Sequence, residues 1–134
     1  PPAMTTVSCS TRAMVVSGDG GIDELTVTGP STIHEVRDGV VTTRGFDPAE
    51  VGIDIAAPEA IAGGDPETNA RIAREVFAGA SGAVRDIVCL NAAAGLVVAG
   101  LVDDLAAGVE QARTSIDSGA AASVLERLVE VSNR

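Results

Sequence analysis

Residues 32–43 read Thr-Ile-His-Glu-Val-Arg-Asp-Gly-Val-Val-Thr-Thr, and this stretch decides how the N-terminal part of the chain folds. Apolar and polar side chains alternate from Thr32 to Val36, which is the period of a strand with one buried face. After Arg37, the pair Asp38-Gly39 is a strong signal for a two-residue hairpin loop. Val40 to Thr43 would form the return strand. The stretch therefore predicts an antiparallel β-hairpin.

Two further strand-like runs precede the hairpin. Ala13 to Val16 is apolar and ends in the loop Ser17-Gly18-Asp19-Gly20-Gly21, whose glycines permit backbone conformations that other residues avoid. Glu24 to Thr28 alternates again and is stopped by Gly29-Pro30. We therefore expect three or four strands, mostly antiparallel, with the glycine-rich loop directly after the first.

The pattern becomes helical after about residue 55. Asp65-Pro66 suits a helix start, since aspartate accepts hydrogen bonds from free backbone N–H groups and proline fits the first turn. Ile72, Val76 and Phe77 give this helix one apolar face, and Gly79 is placed to end it.

Three more helices are expected. The second runs from Ala83 to Ala99 and is apolar nearly all round from Ile87 onward, which is typical of a helix buried on most sides. Asp103 is placed to cap a third helix, and Gly119 separates it from a fourth. Both carry apolar side chains at helical spacing: Leu105, Val109, Ala112 and Ile116 on the third, and Val124, Leu125, Leu128 and Val131 on the fourth. The fold class predicted is α/β, a small, mostly antiparallel sheet with flanking helices.

The composition is that of a single globular domain, which we expect to span residues 1–134. Hydrophobic residues make up 46% of the chain and charged residues 21%, so a packed core is expected. The net charge is −10, and all nine basic residues are arginine. Such a surface repels the phosphates of nucleic acids and of anionic membranes, so we expect neither as a partner. An anionic small molecule is not excluded, because carboxylates can hold one through a divalent cation.

Cysteine usage and the ends of the chain bear on location. Cys9 and Cys89 are too few for a disulfide framework, and Cys89 is interpreted as a buried free thiol. The uncharged run 87–102 is short for a membrane span, and the first residues lack the apolar core of a signal peptide, so we expect a cytoplasmic protein. The chain begins Pro-Pro-Ala-Met, which indicates either a fragment of a longer protein or a true start at Met4.

The stretch with the most informative chemistry is Ser17-Gly18-Asp19-Gly20-Gly21-Ile22-Asp23-Glu24. It places three carboxylates within six residues, in and after a glycine-rich loop. Mg²⁺ prefers oxygen ligands and often takes only one or two carboxylates together with substrate phosphates. From spacing alone, acidic residues in such a loop are more often solvated turn residues than metal ligands.

Four segments, in order along the chain, resemble anthranilate phosphoribosyltransferases. Jointly they are specific, although each alone is not. They are Arg12 to Thr26 with Thr28-Gly29-Pro30-Ser31; Gly63-Gly64-Asp65-Pro66 with Asn69-Ala70; Gly82, Arg85-Asp86 and Leu90-Asn91-Ala92-Ala93-Ala94; and Ala112 to Gly119.

The resemblance implies an enzyme of tryptophan biosynthesis that transfers phosphoribose from phosphoribosyl diphosphate to the amine of anthranilate and releases diphosphate. It implies a larger α/β domain of the nucleoside phosphorylase/phosphoribosyltransferase type, of which this chain is the C-terminal part. Asp23 and Glu24 match the family's Asp-Glu pair, which binds the Mg²⁺ that accompanies the diphosphate. The family also implies a homodimer, formed through an N-terminal helical domain.

Two kinds of departure from the family pattern stand out. The family commonly has His where this chain has Ser17, and often a second Asp where it has Gly20. The family's glycine-rich diphosphate loop, its phosphate-binding Ser, Thr and Lys residues and its anthranilate-contacting residues have no match here. We therefore assign no catalytic residue to this chain and expect it to be inactive alone.

Two other functions stay open on the sequence. One is a fragment of a related nucleoside phosphorylase. The other is a stand-alone binding or assembly module, in which Asp23 and Glu24 are ordinary surface acids.

The remaining polar residues of interest have structural interpretations. His34 is expected to be an exposed strand residue. Asn91, inside an apolar helix, is expected to tie that helix to a loop. Asp65 and Asn69 are interpreted as cap and first-turn residues, and Arg85-Asp86 either as a helix-start charge pair or as a link between layers.

Overall fold

The computed structural model describes residues 12–134, so Met4, one of the two alternatives for the start of the protein, and the thiol of Cys9 lie outside the described residues. Three strands come first: β1 (Arg12–Gly18), β2 (Ser31–Arg37) and β3 (Val40–Phe46). Four helices follow: α1 (Pro66–Phe77), α2 (Ala83–Val98), α3 (Leu105–Asp117) and α4 (Ala120–Ser132). Short 3-10 turns lie at Asp19–Gly21, Pro48–Val51 and Pro58–Ile61.

The sheet is fully antiparallel, with the strand order β1-β2-β3. In its register, His34 of β2 lies opposite Val15 of β1 and Thr43 of β3. Asp38 and Gly39 form the turn between β2 and β3 with φ values of 51° and 81°. Two successive positive φ angles match the twist of the flanking strands, which explains why Asp-Gly predicted this hairpin correctly.

Only one face of the sheet contributes to the core. Ile33 and Phe46 on that face are 1% and 2% exposed. On the opposite face, Val15 and Val41 are each 64% exposed. The sheet therefore lies at one side of the described part of the chain, with its inner face against the helices.

Helices α2 and α3 form the centre of the helical layer. They bury aliphatic side chains such as Leu90 and Val109, which are 0% and 1% exposed. The two backbones approach closely where Gly108 meets Ala93, because a Cβ atom on Gly108 would lie 2.7 Å from the Ala93 Cβ. The small residues of the sequence thus permit close helix packing, and the predicted α/β class is confirmed.

Two predicted element boundaries are wrong. Glu24 to Thr28 does not form a strand, although Leu25, Thr26 and Val27 are all fully buried. The N-cap of α3 is Asp104 rather than Asp103, since the Asp104 carboxylate accepts a hydrogen bond from the Ala107 N–H at 2.8 Å. Two consecutive aspartates are equivalent as cap candidates in a sequence, and the first turn of the helix decides between them.

The apolar side chains of α4 do not form the buried face that their spacing suggests. None of its residues is buried, and Val124, Leu128 and Val131 are more than 60% exposed. The helix starts after Gly119, whose φ of 78° turns the chain back, and it packs on α3 and α1. Among residues 12–134, no helix combines the length and the hydropathy that crossing a membrane requires.

Candidate functional site

The glycine-rich loop after β1 turns back on itself within a few residues. The Gly18 N–H donates to the Ile22 carbonyl at 2.7 Å, and the Asp19 N–H donates to the Pro30 carbonyl at 2.9 Å. Gly20 has a φ of 73°, a region that residues with side chains rarely adopt. The loop therefore returns to the end of β1 and brings the residues after Ile22 to that edge of the sheet.

Asp23 and Glu24 follow this loop with exposed side chains. The pKa of the Glu24 carboxyl is raised, first by partial burial and second by the negative charge of Asp23. The ion pairs formed among residues 12–134 include neither of the two carboxylates. The pair is thus a local concentration of negative charge.

Asp19, the third carboxylate of the motif, does not join this pair. Its Oδ1 accepts a hydrogen bond from the Gly20 N–H at 2.9 Å, and its side chain lies beside Gly29. Within the part of the chain that the structure describes, no three His, Cys, Asp or Glu side chains are grouped as metal ligands. Of the three carboxylates, only those of Asp23 and Glu24, which are adjacent in the sequence, therefore form the candidate pair.

Side chains hold the buried segment that follows the pair. Asn91 binds both backbone groups of Leu25: its Oδ1 accepts from the Leu25 N–H at 2.9 Å, and its Nδ2 donates to the Leu25 carbonyl at 2.8 Å. The Ser31 hydroxyl oxygen accepts from the Thr26 N–H at 3.1 Å. In a sheet, the backbone groups of Leu25 and the Thr26 N–H would pair with a neighbouring strand. Here side chains pair with them, so the segment is buried without forming a strand.

Asp23 and Glu24 suit a hard divalent cation. Mg²⁺ keeps several waters and commonly binds through one or two carboxylates together with substrate phosphates. A bound cation would also offset the repulsion from Asp23 that contributes to the raised pKa of Glu24. The pair can therefore hold Mg²⁺ if water and phosphate oxygens supply the remaining ligands.

Ser17 and Gly20, the two departures from the family pattern, line a different surface. With Thr32 they border an open depression of about 440 Å³ beside the glycine-rich loop. Neither Asp23 nor Glu24 lines it. Ser17 and Gly20 therefore lie at the wall of this depression, and the acidic pair lies outside it.

The other polar residues named by the sequence have structural partners. His34 is exposed on β2, as predicted, and its Nδ1 shares a hydrogen bond of 2.8 Å with the Thr43 hydroxyl. Arg85 binds Asp117 at 2.7 Å, which joins α2 to α3. Arg85 thus links two helices of the same layer, and neither the predicted charge pair with Asp86 nor the predicted link between layers describes its contact. Cys89 is a buried free thiol, as predicted, and burial raises its pKa.

A second asparagine makes the same kind of contact as Asn91. Asn69 accepts from the Gly64 N–H at 2.8 Å and donates to the Gly64 carbonyl at 3.0 Å. Asp65 caps α1 by accepting from the Thr68 N–H at 2.8 Å, so both predicted roles at this helix start are confirmed. Asn91 also ties its helix to a loop, as predicted; the sequence did not reveal that it binds both backbone groups of one residue.

Comparison with known proteins places the chain among glycosyltransferases. Residues 3–122 match the glycosyl transferase family, a/b domain. The chain is 51% identical over 124 residues to the anthranilate phosphoribosyltransferase of Azospirillum brasilense, covering 92% of this chain and 35% of that protein. It is 50% identical over 124 residues to the anthranilate phosphoribosyltransferase of Arthrobacter sp. (strain FB24), covering 88% of this chain and 35% of that protein.

Solved structures agree with the sequence matches. The anthranilate phosphoribosyltransferase of Thermus thermophilus superposes with a TM-score of 0.79 at 40% identity, over 89% of this chain and 35% of that one. The Saccharomyces cerevisiae enzyme in complex with PRPP and Mg superposes with a TM-score of 0.78 at 25% identity, over 87% of this chain and 34% of that one. The chain thus spans about 35% of the length of the curated relatives it matches.

Proposed function

Because the chain belongs to the glycosyl transferase family, a/b domain, we propose that it forms the C-terminal part of an anthranilate phosphoribosyltransferase. The intact enzyme would transfer phosphoribose from phosphoribosyl diphosphate to the amine of anthranilate and release diphosphate. Relatives that are 51% and 49% identical carry this name. The Saccharomyces cerevisiae relative has been solved with PRPP and Mg, which supports the same donor and Mg²⁺ here.

One observation of the fold carries the proposal. Asp23 and Glu24 are adjacent, exposed and free of ion pairs within residues 12–134, directly before a segment that is fully buried. A metal site needs ligands on a rigid support, and the buried segment after Glu24 provides one. We therefore propose that Asp23 and Glu24 are the Mg²⁺ anchors.

The chemistry explains why carboxylates serve a reaction of phosphates. Breaking the bond between the ribose and the diphosphate leaves negative charge on the diphosphate. Mg²⁺, when bound, supplies the positive charge that stabilises this leaving group. Asp23 and Glu24 hold the cation through their oxygens, so they act as its ligands and not as a general acid and base.

The rest of the active site is proposed to lie in sequence outside this chain. The donor loop, the phosphate-binding residues and the anthranilate site have no match in its residues, and the chain covers 35% of a relative's length. We propose that residues 1–134 belong to one catalytic domain, that they are inactive alone, and that the intact enzyme is a cytoplasmic homodimer of tryptophan biosynthesis.

A chimeric enzyme tests the proposal. Residues 12–134 replace the corresponding part of the Azospirillum brasilense enzyme, and transfer is followed by the loss of anthranilate fluorescence. We expect activity that requires both phosphoribosyl diphosphate and Mg²⁺. The double variant Asp23→Asn, Glu24→Gln should lower kcat/KM by about 100-fold, because the metal loses both side-chain ligands.

Asp19→Asn is the matched control, because it removes a carboxylate of the same loop that does not join the pair. It should leave kcat/KM within about threefold of the unmodified chimera. A double variant as active as the Asp19→Asn control would rule out the metal role. A folded chimera without transferase activity would instead favour the binding-module alternative, with Asp23 and Glu24 as surface acids.

A further inference from the structure

We propose that Asn91 is a positioning residue for the metal site: it fixes the peptide group between Glu24 and Leu25 and so sets the direction of the acidic pair. The inference rests on the proposed metal role of Asp23 and Glu24. It assigns to a helix residue outside the acidic loop a part in metal binding.

The hydrogen bonds of Asn91 act on the peptide group that includes Glu24. The Leu25 N–H, which donates to Asn91 Oδ1 at 2.9 Å, belongs to the planar unit that begins with the Glu24 carbonyl. Fixing this N–H therefore restricts the ψ angle of Glu24. Because Leu25 is fully buried, no water can replace the bond when it is lost.

The opposite end of the same peptide group is also confined. A Cβ atom placed on Gly18 would lie 2.9 Å from the Glu24 carbonyl oxygen, closer than real Cβ contacts. The Gly18 N–H is bonded to the Ile22 carbonyl at 2.7 Å, so the end of β1 cannot withdraw freely. The Glu24–Leu25 peptide is thus bonded by Asn91 at its N–H and lies close to Gly18 at its carbonyl.

Asn91 itself has a fixed orientation. Its Nδ2 donates to the Ile87 carbonyl at 3.0 Å as well as to the Leu25 carbonyl at 2.8 Å. Rotating the amide by half a turn would place Oδ1 against two carbonyl oxygens, which repel it. Its neighbour Leu90 is fully buried within α2. The side chain is therefore a rigid support on a helix, of the kind that orients metal ligands through intermediate groups.

The chain contains its own control for a purely structural role. Asn69 binds the N–H and carbonyl of Gly64 in the same way as Asn91 binds Leu25, at 2.8 Å and 3.0 Å. The residue after Gly64 is the N-cap Asp65, and Gly64 is not next to the acidic pair. Asn69→Leu and Asn91→Leu thus each remove two hydrogen bonds to one backbone residue. The bonds of Asn69 are exposed and those of Asn91 are partly buried, and only Asn91→Leu also removes the bond to Ile87 and acts beside Glu24.

The test uses the 134-residue chain, with Mn²⁺ and inorganic diphosphate together as the probe of the cation site, because phosphate oxygens complete the ligand set. Binding is read from the paramagnetic broadening of the Asp23 and Glu24 amide signals in NMR spectra, and hydrogen exchange of the Leu25 amide is measured on the same samples. Asn91→Leu should weaken Mn²⁺ binding by about tenfold and remove the protection of the Leu25 amide. Asn69→Leu should leave both unchanged. Equal Mn²⁺ binding by the two variants would overturn the proposal.

Gly18→Ala provides a second test of how the Glu24–Leu25 peptide affects cation binding, in case Asn91→Leu fails to fold. Its methyl group meets both the Glu24 carbonyl oxygen and the Thr26 side chain at 2.9 Å, while the Asn91 side chain is kept. It should also weaken Mn²⁺ binding, and unchanged binding would overturn the proposal. The failure of the underlying function has a separate signature. If the unmodified chain binds Mn²⁺ no better than the variant Asp23→Asn, Glu24→Gln, the metal role itself is overturned, and the exchange of the Leu25 amide still decides whether Asn91 fixes the peptide group.

Discussion

Single side chains replace secondary structure at two places in this chain. Asn91 and Asn69 each bind the N–H and the carbonyl of one residue, Leu25 and Gly64 respectively. A carboxamide carries a donor and an acceptor on one carbon, so it can pair with a backbone residue as a neighbouring strand would. The chain can thereby bury or fix an irregular segment without lengthening the sheet.

The acid sensitivity of α1 is predicted to depend on Asp65. The Thr68 N–H lowers the pKa of this N-cap carboxyl, so the folded state prefers the ionised form more strongly than the unfolded state does. Its stabilising effect is therefore present above the ordinary aspartate pKa and is lost as the pH falls through the lowered, folded-state pKa. Asp65→Ala should lower the Tm at pH 7, and its deficit relative to the unmodified chain should shrink in acid.

The pH dependence of the Tm deficit of Asp65→Ala is measured by thermal unfolding, followed by circular dichroism, from pH 7 down to about pH 3. Asp65→Asn is the control, because its side chain accepts the same hydrogen bond without titrating. At pH 7 its Tm should lie closer to that of the unmodified chain than the Tm of Asp65→Ala does. The difference in Tm between Asp65→Asn and the unmodified chain should be smallest in acid. A Tm deficit of Asp65→Ala that does not change with pH would contradict a role for the carboxylate charge.

The sequence indicates the structural roles of these residues better than it indicates their hydrogen-bond partners. Asp65 followed by proline identified a cap, because the cap bond is made within the same turn. Asn91 stood out as the amide in an apolar helix, but its partner Leu25 is 66 positions away. For Asp23 and Glu24, the metal role is indicated by the resemblance to the family and not by their spacing. A contact between distant segments depends on how elements pack, which periodicity does not record.

Elements that meet through small residues have little tolerance for extra volume. Helices α2 and α3 cross where Gly108 faces Ala93, and a Cβ atom on Gly108 would approach the Ala93 Cα to 2.8 Å. Apolar spacing predicts α3 and a nearly continuous apolar run predicts α2, but neither pattern shows which residues of the two helices meet. The segment Glu24 to Thr28 was mistaken for a strand for a similar reason, since alternation indicates burial and not which groups complete the hydrogen bonds.

Gly108→Ala is predicted to destabilise the helix pair by roughly 1–3 kcal/mol, because the new methyl group forces the two backbones apart. Chemical denaturation with urea measures the change in the free energy of unfolding. Gly95→Ala in α2 is the matched control: a Cβ atom there meets nothing within 4 Å, and alanine is favoured in a helix. That control should stabilise the chain by about 0.5–1 kcal/mol. Two changes of the same sign and size would show that the crossing is not tight.

At the scale of the whole molecule, stability comes from an aliphatic core that covers only part of the apolar surface. The core contains side chains from the sheet and from α1, α2 and α3, and Phe46 adds an aromatic ring to it. Val15 and Val41 on the outer face of the sheet and Leu128 on α4 stay exposed. The sequence pattern of α4 predicted an amphipathic helix correctly, but it could not show that the apolar side would face water.

Burial, and not apolar character, should therefore decide which aliphatic residues stabilise the fold. Leu128 is 62% exposed and Val109 is 1% exposed. Leu128→Gln should change the free energy of unfolding by less than about 0.5 kcal/mol, because the side chain is exposed. Val109→Ala should lower the free energy of unfolding by roughly 1–3 kcal/mol, because it leaves a cavity beside α3. Urea denaturation measures both, and retention on a phenyl column reports the exposed surface. Leu128→Gln should shorten retention and Val109→Ala should not. If Leu128→Gln lowered the stability as much as Val109→Ala, Leu128 would be packed against the rest of the chain. The conclusion that the apolar face of α4 is exposed would then be wrong.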